Sequence, residues 1–172
     1  MEEKFKSTLQ AIVKGTKDYK ITWEYLSDGY YNTIEDYYDR KFKNDDRKFK
    51  MSFDSGFEVA YEGLLFLLLC IDVKSKKRKK KKNESNDNKH YLNDVEEMFE
   101  LRIYQYDVSD KPIIRTIDFE LESTLLLFNS LEEKYEQELK QLYSLAAGSA
   151  SGADRVMDKI INELGNEKNL PL

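Results

Sequence analysis

The stretch LLFLLLCIDV at residues 64–73 decides the fold, and Asp72 is its only charged residue. An almost wholly apolar run of this length predicts a β-strand that is buried on both faces. Such a strand belongs in the centre of a sheet, with helices covering at least one face. The alternating FEVAY at 57–61 predicts a neighbouring strand, joined to the first through a turn at Glu62 and Gly63.

Upstream of this pair, the pentapeptide DRKFK occurs twice, at 39–43 and at 46–50. If Asn44 and Asp45 form a two-residue turn, the two copies pair as a β-hairpin with one mostly apolar face and one charged face. The seven-residue spacing also matches two helical turns, which would align aromatic residues along a helix over 38–53. The Asn-Asp-Asp cluster between the copies disfavours that helix. The hairpin is therefore the favoured interpretation.

The rest of the chain divides into helical and strand patterns. Helical spacing over 3–14 predicts an N-terminal helix that stops at Gly15, and the pattern from Ser123 onward predicts a long helix. AAGSASGAD at 146–154 breaks that helix, and a short final helix follows. Further strands are predicted for YKITWEYL at 19–26, MFELRIYQYDV at 98–108 and IIRTIDFEL at 113–121.

These patterns predict a single α+β domain over residues 1–172. It consists of an N-terminal helix, an antiparallel β-meander and two C-terminal helices packed on the sheet, with a frayed tail at 165–172. The apolar residues of the final helix are expected inside: Val156, Met157, Ile160, Ile161 and Leu164. Packing within the chain is the default for this helix, and packing on another copy is the second interpretation.

A basic segment stands out in an otherwise acidic chain. The net charge is −5, and residues 74–82 carry eight basic side chains, so the remaining residues carry about −13. The segment opens a polar, flexible loop predicted for 74–90, between two strands. It is either an electrostatic contact for nucleic acid, phosphate or an acidic partner, or a solvated insertion. Its candidate contact residues are Lys76, Lys77, Arg78 and Lys79.

Tyrosine is abundant, with 12 residues in the chain. Two Tyr-Tyr pairs, placed on a strand, would put rings on both faces, so some rings should be exposed and suited to a protein interface or a ligand pocket. The alternative is that tyrosine is merely a good strand former. The candidate binding residues of this region are Tyr30, Tyr31, Tyr37, Tyr38, Arg40 and Arg47.

The residues that support catalysis are scarce. The chain has one histidine, His90, and one cysteine, Cys70, which is too few for a typical zinc site or a nucleophile–histidine pair. Phosphate-binding glycine motifs are absent as well. Acidic pairs such as Glu96-Glu97 leave a hydrolase as a third hypothesis. We therefore expect no enzymatic activity, cofactor or metal. A cytoplasmic, non-membrane protein is expected from the free cysteine, the charged N-terminus and the short apolar runs.

Four segments together resemble small α+β proteins of low-GC Gram-positive bacteria and their phages: LQAIVKG at 9–15, KITWEYL at 20–26, LKQLYSLA at 139–146 and GADRVMDKIINEL at 152–164. The resemblance implies a protein of a mobile element that acts by binding, often to inhibit host defence. The leading hypothesis is therefore a non-enzymatic binding or inhibitory protein with a protein partner. The alternatives are a homo-oligomer that sequesters a nucleotide or other anionic ligand, and a nucleic-acid-binding protein that uses the Lys-rich loop.

Overall fold

The computed structural model describes residues 1–42, 49–75, 95–105 and 125–165. Within them the chain forms an α+β fold, as predicted, with four helices and a five-stranded antiparallel sheet whose strands follow chain order. The elements are α1 (Glu2–Lys17), β1 (Glu24–Tyr25), α2 (Asp28–Phe42), β2 (Phe49–Tyr61), β3 (Leu64–Ser75), β4 (Val95–Gln105), β5 (Leu126–Asn129), α3 (Glu133–Ser151) and α4 (Ala153–Gly165).

Strand β3 lies at the centre of the sheet, between β2 and β4, which confirms the prediction from its apolar run. Its turn to β2 consists of Glu62 and Gly63, which have φ angles of 45° and 76°. Two consecutive left-handed residues suit a tight hairpin turn, because their twist matches that of the strands. The turn pairs Tyr61 with Leu64 and sets the register of the hairpin.

Both faces of the sheet are buried. On the first face, alternate residues of β3 such as Leu68 pack in a core with Leu9 of α1 and Leu139 of α3. On the second face, the intervening residues such as Leu67 pack with Ile34 of α2. Because successive side chains of a strand point to opposite faces, a strand covered on both sides must be apolar throughout. This arrangement explains the sequence of β3.

An irregularity in β2 allows this strand to contribute to both cores. Its register against β3 shifts between Phe53 and Ser55, where one extra residue enters the strand. A β-bulge of this kind changes which face the following residues occupy. Phe53 therefore packs on the second face, while Phe57 packs on the first, although the two are four residues apart.

The hairpin predicted for the repeated pentapeptide is wrong. Most of the first copy lies in α2, which ends at Phe42, and β2 begins at Phe49 and pairs with β3. The rival prediction of a helix over 38–53 fails too, because Phe53 lies in a strand. The helix forms because Tyr30, Ile34 and Tyr38, spaced four residues apart, are buried together against the sheet.

Several further boundaries differ from the predictions. Helix α1 continues past Gly15 to Lys17, and of the strand predicted for 19–26 only Glu24–Tyr25 forms, paired with β2. Trp23 is nevertheless in the core, and its indole N–H donates a hydrogen bond to the Thr16 hydroxyl at 3.0 Å.

The long helix predicted from Ser123 begins only at Glu133, because Leu126–Asn129 forms β5 on the edge of β4. The predicted break after it is confirmed at Gly152, which has a left-handed φ of 71°. Lys74 and Ser75 of the predicted 74–90 loop belong to β3, and Gly165 ends α4. The other residues of that loop, the strand predicted for 113–121 and the tail after Gly165 lie outside the described residues.

Candidate interaction surface

Helix α4 carries an apolar stripe that the rest of the described chain does not cover. Its five members are Val156, Met157, Ile160, Ile161 and Leu164. Alternating spacings of one and three residues place them on one side of the helix. Their exposed fractions run from 50% at Ile160 to 64% at Ile161, so the prediction that they lie inside is wrong.

The fold positions α4 through its junction with α3. Helix α3 is anchored in the first-face core by Leu139, Leu142 and Ala146, all fully buried. The chain then turns at Gly152, whose carbonyl accepts a hydrogen bond from the Val156 N–H at 3.2 Å. The left-handed conformation of Gly152 ends α3 and starts α4 in a new direction. As a result, the helical spacing of apolar residues continues from α3 into α4, although α4 no longer packs in the core.

One side of α4 is held by the body of the domain. The Tyr19 hydroxyl donates a hydrogen bond to the Asp158 carboxylate. Asp158 lies off the apolar stripe, so this contact leaves the stripe open to solvent. On the other side of the stripe, Lys159 and Glu163 form an exposed pair one turn apart, with 3.9 Å between Nζ and the carboxylate oxygen. An apolar centre with a charged border is the usual anatomy of a protein interface.

The size of the stripe is also informative. Five large side chains that are each at least half exposed present on the order of 500 Å² of surface, which is near the upper end of the largest apolar patch on a typical monomer, roughly 300–600 Å². Patches of this size usually have a function. We therefore treat the α4 stripe as the candidate functional site.

The tyrosines proposed as binding residues lie on α2, not on a strand. Tyr30 and Tyr38 are 2% and 3% exposed and belong to the second-face core. Tyr31 is half-buried, with its ring 5.0 Å from that of Phe53 in an edge-on arrangement. The structure thus places most of this tyrosine surface against the sheet.

The remaining predicted binding residues are divided. Tyr37 is half-buried, and its hydroxyl accepts a hydrogen bond from Lys41 Nζ at 3.0 Å. Arg40 is exposed on α2. Five candidates lie outside the described residues: Arg47, Lys76, Lys77, Arg78 and Lys79.

A buried polar cluster ties α2 to the sheet. Arg102 of β4 donates to the Glu100 carboxylate, and both residues are almost fully buried. The Asn129 amide of β5 donates to the same carboxylate at 3.2 Å. Burial raises the pKa of the Tyr38 hydroxyl, with Glu100 adding to the effect. Burial alone would lower the pKa of Arg102, but Glu100 outweighs it and the pKa is raised. The cluster is a structural network, in which Tyr38, Glu100 and Arg102 are almost fully buried.

One group of side chains offers ligand types that metals use. Cys70, Asp72 and Glu97 place potential ligand atoms within 4.8 Å of one another, because Asp72 and Glu97 are cross-strand partners. Burial, reinforced by nearby acids, raises the pKa of the Cys70 thiol to about 12. Metal coordination requires the thiolate, so this environment opposes it. Glu96 and Glu97 themselves point to opposite faces of β4 and do not form an acid pair.

A cleft of about 510 Å³ opens between α1 and the adjoining ends of β2, β3 and β4. Its walls are mainly apolar and include Phe66 and the 40% exposed Tyr61. Lys14 and Lys20 lie at its border, together with Asp18. The cleft therefore combines aromatic rings with two positive charges.

Comparisons with known proteins yield no relative. No protein-family model matches the chain, and neither do curated proteins or solved structures. Among the helices in the described ranges, none has the length and apolar character needed to cross a membrane.

Proposed function

We propose that this protein is a non-enzymatic binding protein that acts by docking helix α4 on another protein. The exposed apolar stripe of α4 carries the proposal, because large side chains at 50–64% exposure gain free energy when a partner covers them. The inhibitory role implied by the sequence resemblance is part of the same proposal: a docked partner would be blocked.

The expected strength of binding follows from the area. Covering on the order of 500 Å² at about 25 cal/mol per Å² yields roughly 12 kcal/mol of gross stabilisation. Association itself costs about 4–15 kcal/mol. The stripe alone therefore supports weak to moderate affinity, and the charged border formed by Lys159 and Glu163 adds orientation and specificity.

The test compares an interface variant with a matched control on the same helix. The stripe variant, Ile160→Asp combined with Ile161→Asp, places negative charge in the stripe. The control, Asn162→Asp, places a negative charge on the opposite side of α4. Wild type and both variants are immobilised and exposed to the same cell extract, and bound proteins are quantified. The proposal predicts a protein retained by wild type and by the Asn162 variant, and lost with the stripe variant.

Two results contradict the proposal. One is equal retention of every bound protein by the stripe variant and the control. The other is a large loss of thermal stability in the stripe variant only, because side chains that contact solvent contribute little to the core. Asn162 is exposed and lies away from the stripe, so its variant controls for a negative charge placed elsewhere on α4.

The cleft favours a second candidate function, the sequestration of a small ligand with a ring and an anionic group, such as a nucleotide. Tyr61 offers a ring for stacking, and Lys14 and Lys20 offer charge for a phosphate. The ring centroids of Trp23 and Phe66 are 6.2 Å apart, and Phe66 lines the cleft. The fluorescence of Trp23 should therefore change when a ligand binds in the cleft. Titration with nucleotides should change this fluorescence in wild type and not after Tyr61→Ala. An unchanged signal in wild type, with no adduct in native mass spectrometry, contradicts this function.

A further inference from the structure

We infer that the α4 stripe is occupied first by α4 of a second copy of this chain, with the two helices antiparallel about a twofold axis between Ile160 and Ile161. The inference rests on the proposed function, because it names a partner for the same surface. It goes further in fixing the geometry of the contact and the residues that meet in it.

The order of apolar residues suits self-pairing. When two copies of α4 run antiparallel with that axis, each Ile160 meets the second copy's Ile161, and each Met157 meets the second copy's Leu164. The stripe from Val156 to Leu164 is roughly 12 Å long at about 1.5 Å per residue, and it is covered along its length. A twofold contact requires such a self-complementary surface.

Charge decides the direction of the second helix. Lys159 and Glu163 lie on the same side of the stripe, one turn apart, and their side chains are 72% and 65% exposed. In the antiparallel arrangement each Lys159 lies beside the second copy's Glu163, and the dimer contains two such pairs. In a parallel arrangement the twofold axis would run along the helices and place the two charged borders on opposite sides of the seam, so Lys159 and Glu163 would not pair with each other across it. The antiparallel arrangement is therefore preferred.

The area reaches the range of a specific, reversible pair. Two stripes remove on the order of 1,000 Å² of surface from solvent, which reaches the lower bound of roughly 1,000 Å² for a specific interface. The charged border extends the contact beyond this value. The dimer also buries ten large apolar side chains in one seam. In a monomer the same side chains would stay exposed to water.

The first measurement is sedimentation equilibrium of the full chain over a range of concentrations. Wild type and Asn162→Asp should be dimers, and the Ile160→Asp, Ile161→Asp double variant should be a monomer with an unchanged melting temperature at low concentration. Lys159→Glu should weaken the dimer at least several-fold, and adding Glu163→Lys should restore it. A wild type that is monomeric throughout, or a dimer that the double variant leaves intact, overturns the inference.

Disulfide trapping tests the direction of the helices in a Cys70→Ala background. Antiparallel packing predicts cross-linking when Met157→Cys and Leu164→Cys proteins are mixed. It predicts no cross-linking of Leu164→Cys alone, because the two copies of this residue are separated by roughly 10 Å along the helix axis. Efficient cross-linking of Leu164→Cys alone demonstrates parallel packing and overturns the inference.

The failures of the two proposals differ. A monomeric wild type that retains another protein through the stripe overturns self-pairing and leaves the proposed function in place. A monomer whose melting temperature falls sharply in the stripe variant shows that the stripe is covered by its own chain, which overturns both. Dimerisation through the stripe without a further partner upholds the inference and restricts the function to self-association.

Discussion

Removing the buried arginine of the second face, by Arg102→Met, should destabilise the protein severely. Arg102 is 3% exposed and donates to the Glu100 carboxylate, which is itself buried. Methionine fills a similar length without the charge. In this variant the Glu100 carboxylate would still accept a hydrogen bond from the Asn129 amide, 3.2 Å away. It would lose the positive charge that Arg102 provides. A buried carboxylate in that state is costly because the protein cannot replace its hydration.

The size of the effect follows from the geometry. Breaking one side of a buried ion pair costs about 3–5 kcal/mol, whereas replacing both partners by apolar residues is often neutral or stabilising. Arg102→Met and Glu100→Met should each lower the free energy of unfolding by about 3–5 kcal/mol. The double variant should lie within about 2 kcal/mol of wild type, because the pair is removed with its desolvation cost. The coupling energy is therefore several kcal/mol.

Urea denaturation of the four proteins, followed by far-UV circular dichroism, measures these values. All four proteins are compared at one protein concentration, so that any self-association through α4 affects them equally. A loss below about 1 kcal/mol in Arg102→Met, or a double variant as unstable as the singles, refutes the reasoning. The first result would mean that the pair is solvated, and the second that packing or other hydrogen bonds of these side chains, not their charge pair, supply the stability.

Three further predictions concern the sheet. Gly56→Ala should lower the free energy of unfolding by about 1–3 kcal/mol, because the new Cβ would lie 2.8 Å from the backbone oxygen of Leu68. Raising the pH from 9 towards 12 should destabilise the fold, because the unfolded thiol of Cys70 ionises near 9.0 while the folded thiol keeps its proton until about 12; this contributes on the order of 1.4 kcal/mol per pH unit. Glu97→Lys should stabilise by about 0.5–1 kcal/mol, since it replaces a like-charge pair with Asp72 by an opposite-charge pair.

Each of these has a control on the same element or of the same kind. Gly15→Ala is near neutral, because its new Cβ meets only the flexible end of Ile21. Cys70→Ala should flatten the alkaline dependence of stability, and an unchanged slope contradicts the assignment. Glu96→Lys changes the same charge on β4 opposite Val73. Equal stabilisation by the Glu96 and Glu97 variants would show that net charge, and not the cross-strand pair, is responsible.

The candidate site illustrates how far the sequence leads. The stripe on α4 was recognisable from spacing alone, and packing on another copy was one of its two interpretations. The exposure of the stripe could not be predicted from spacing, because the same helical spacing of apolar residues occurs in a helix that faces a core and in one that faces solvent. The tyrosines of α2 were misplaced for a related reason: aromatic residues favour strands, while burial of Tyr30, Ile34 and Tyr38 at four-residue spacing stabilises a helix.

By itself, the sequence determined the features that depend on short-range pattern. The apolar run of β3 required a central strand, Glu62 and Gly63 set its turn to β2, and the small residues around Gly152 divided the C-terminal helices. Tertiary structure decided where local preferences compete. Leu126–Asn129 became a strand because the edge of β4 offered hydrogen bonds that an isolated helix start cannot replace. Tertiary structure also decided that α4 leaves the core. The spacing of apolar residues specifies which face of a helix is apolar, and only packing specifies what covers that face.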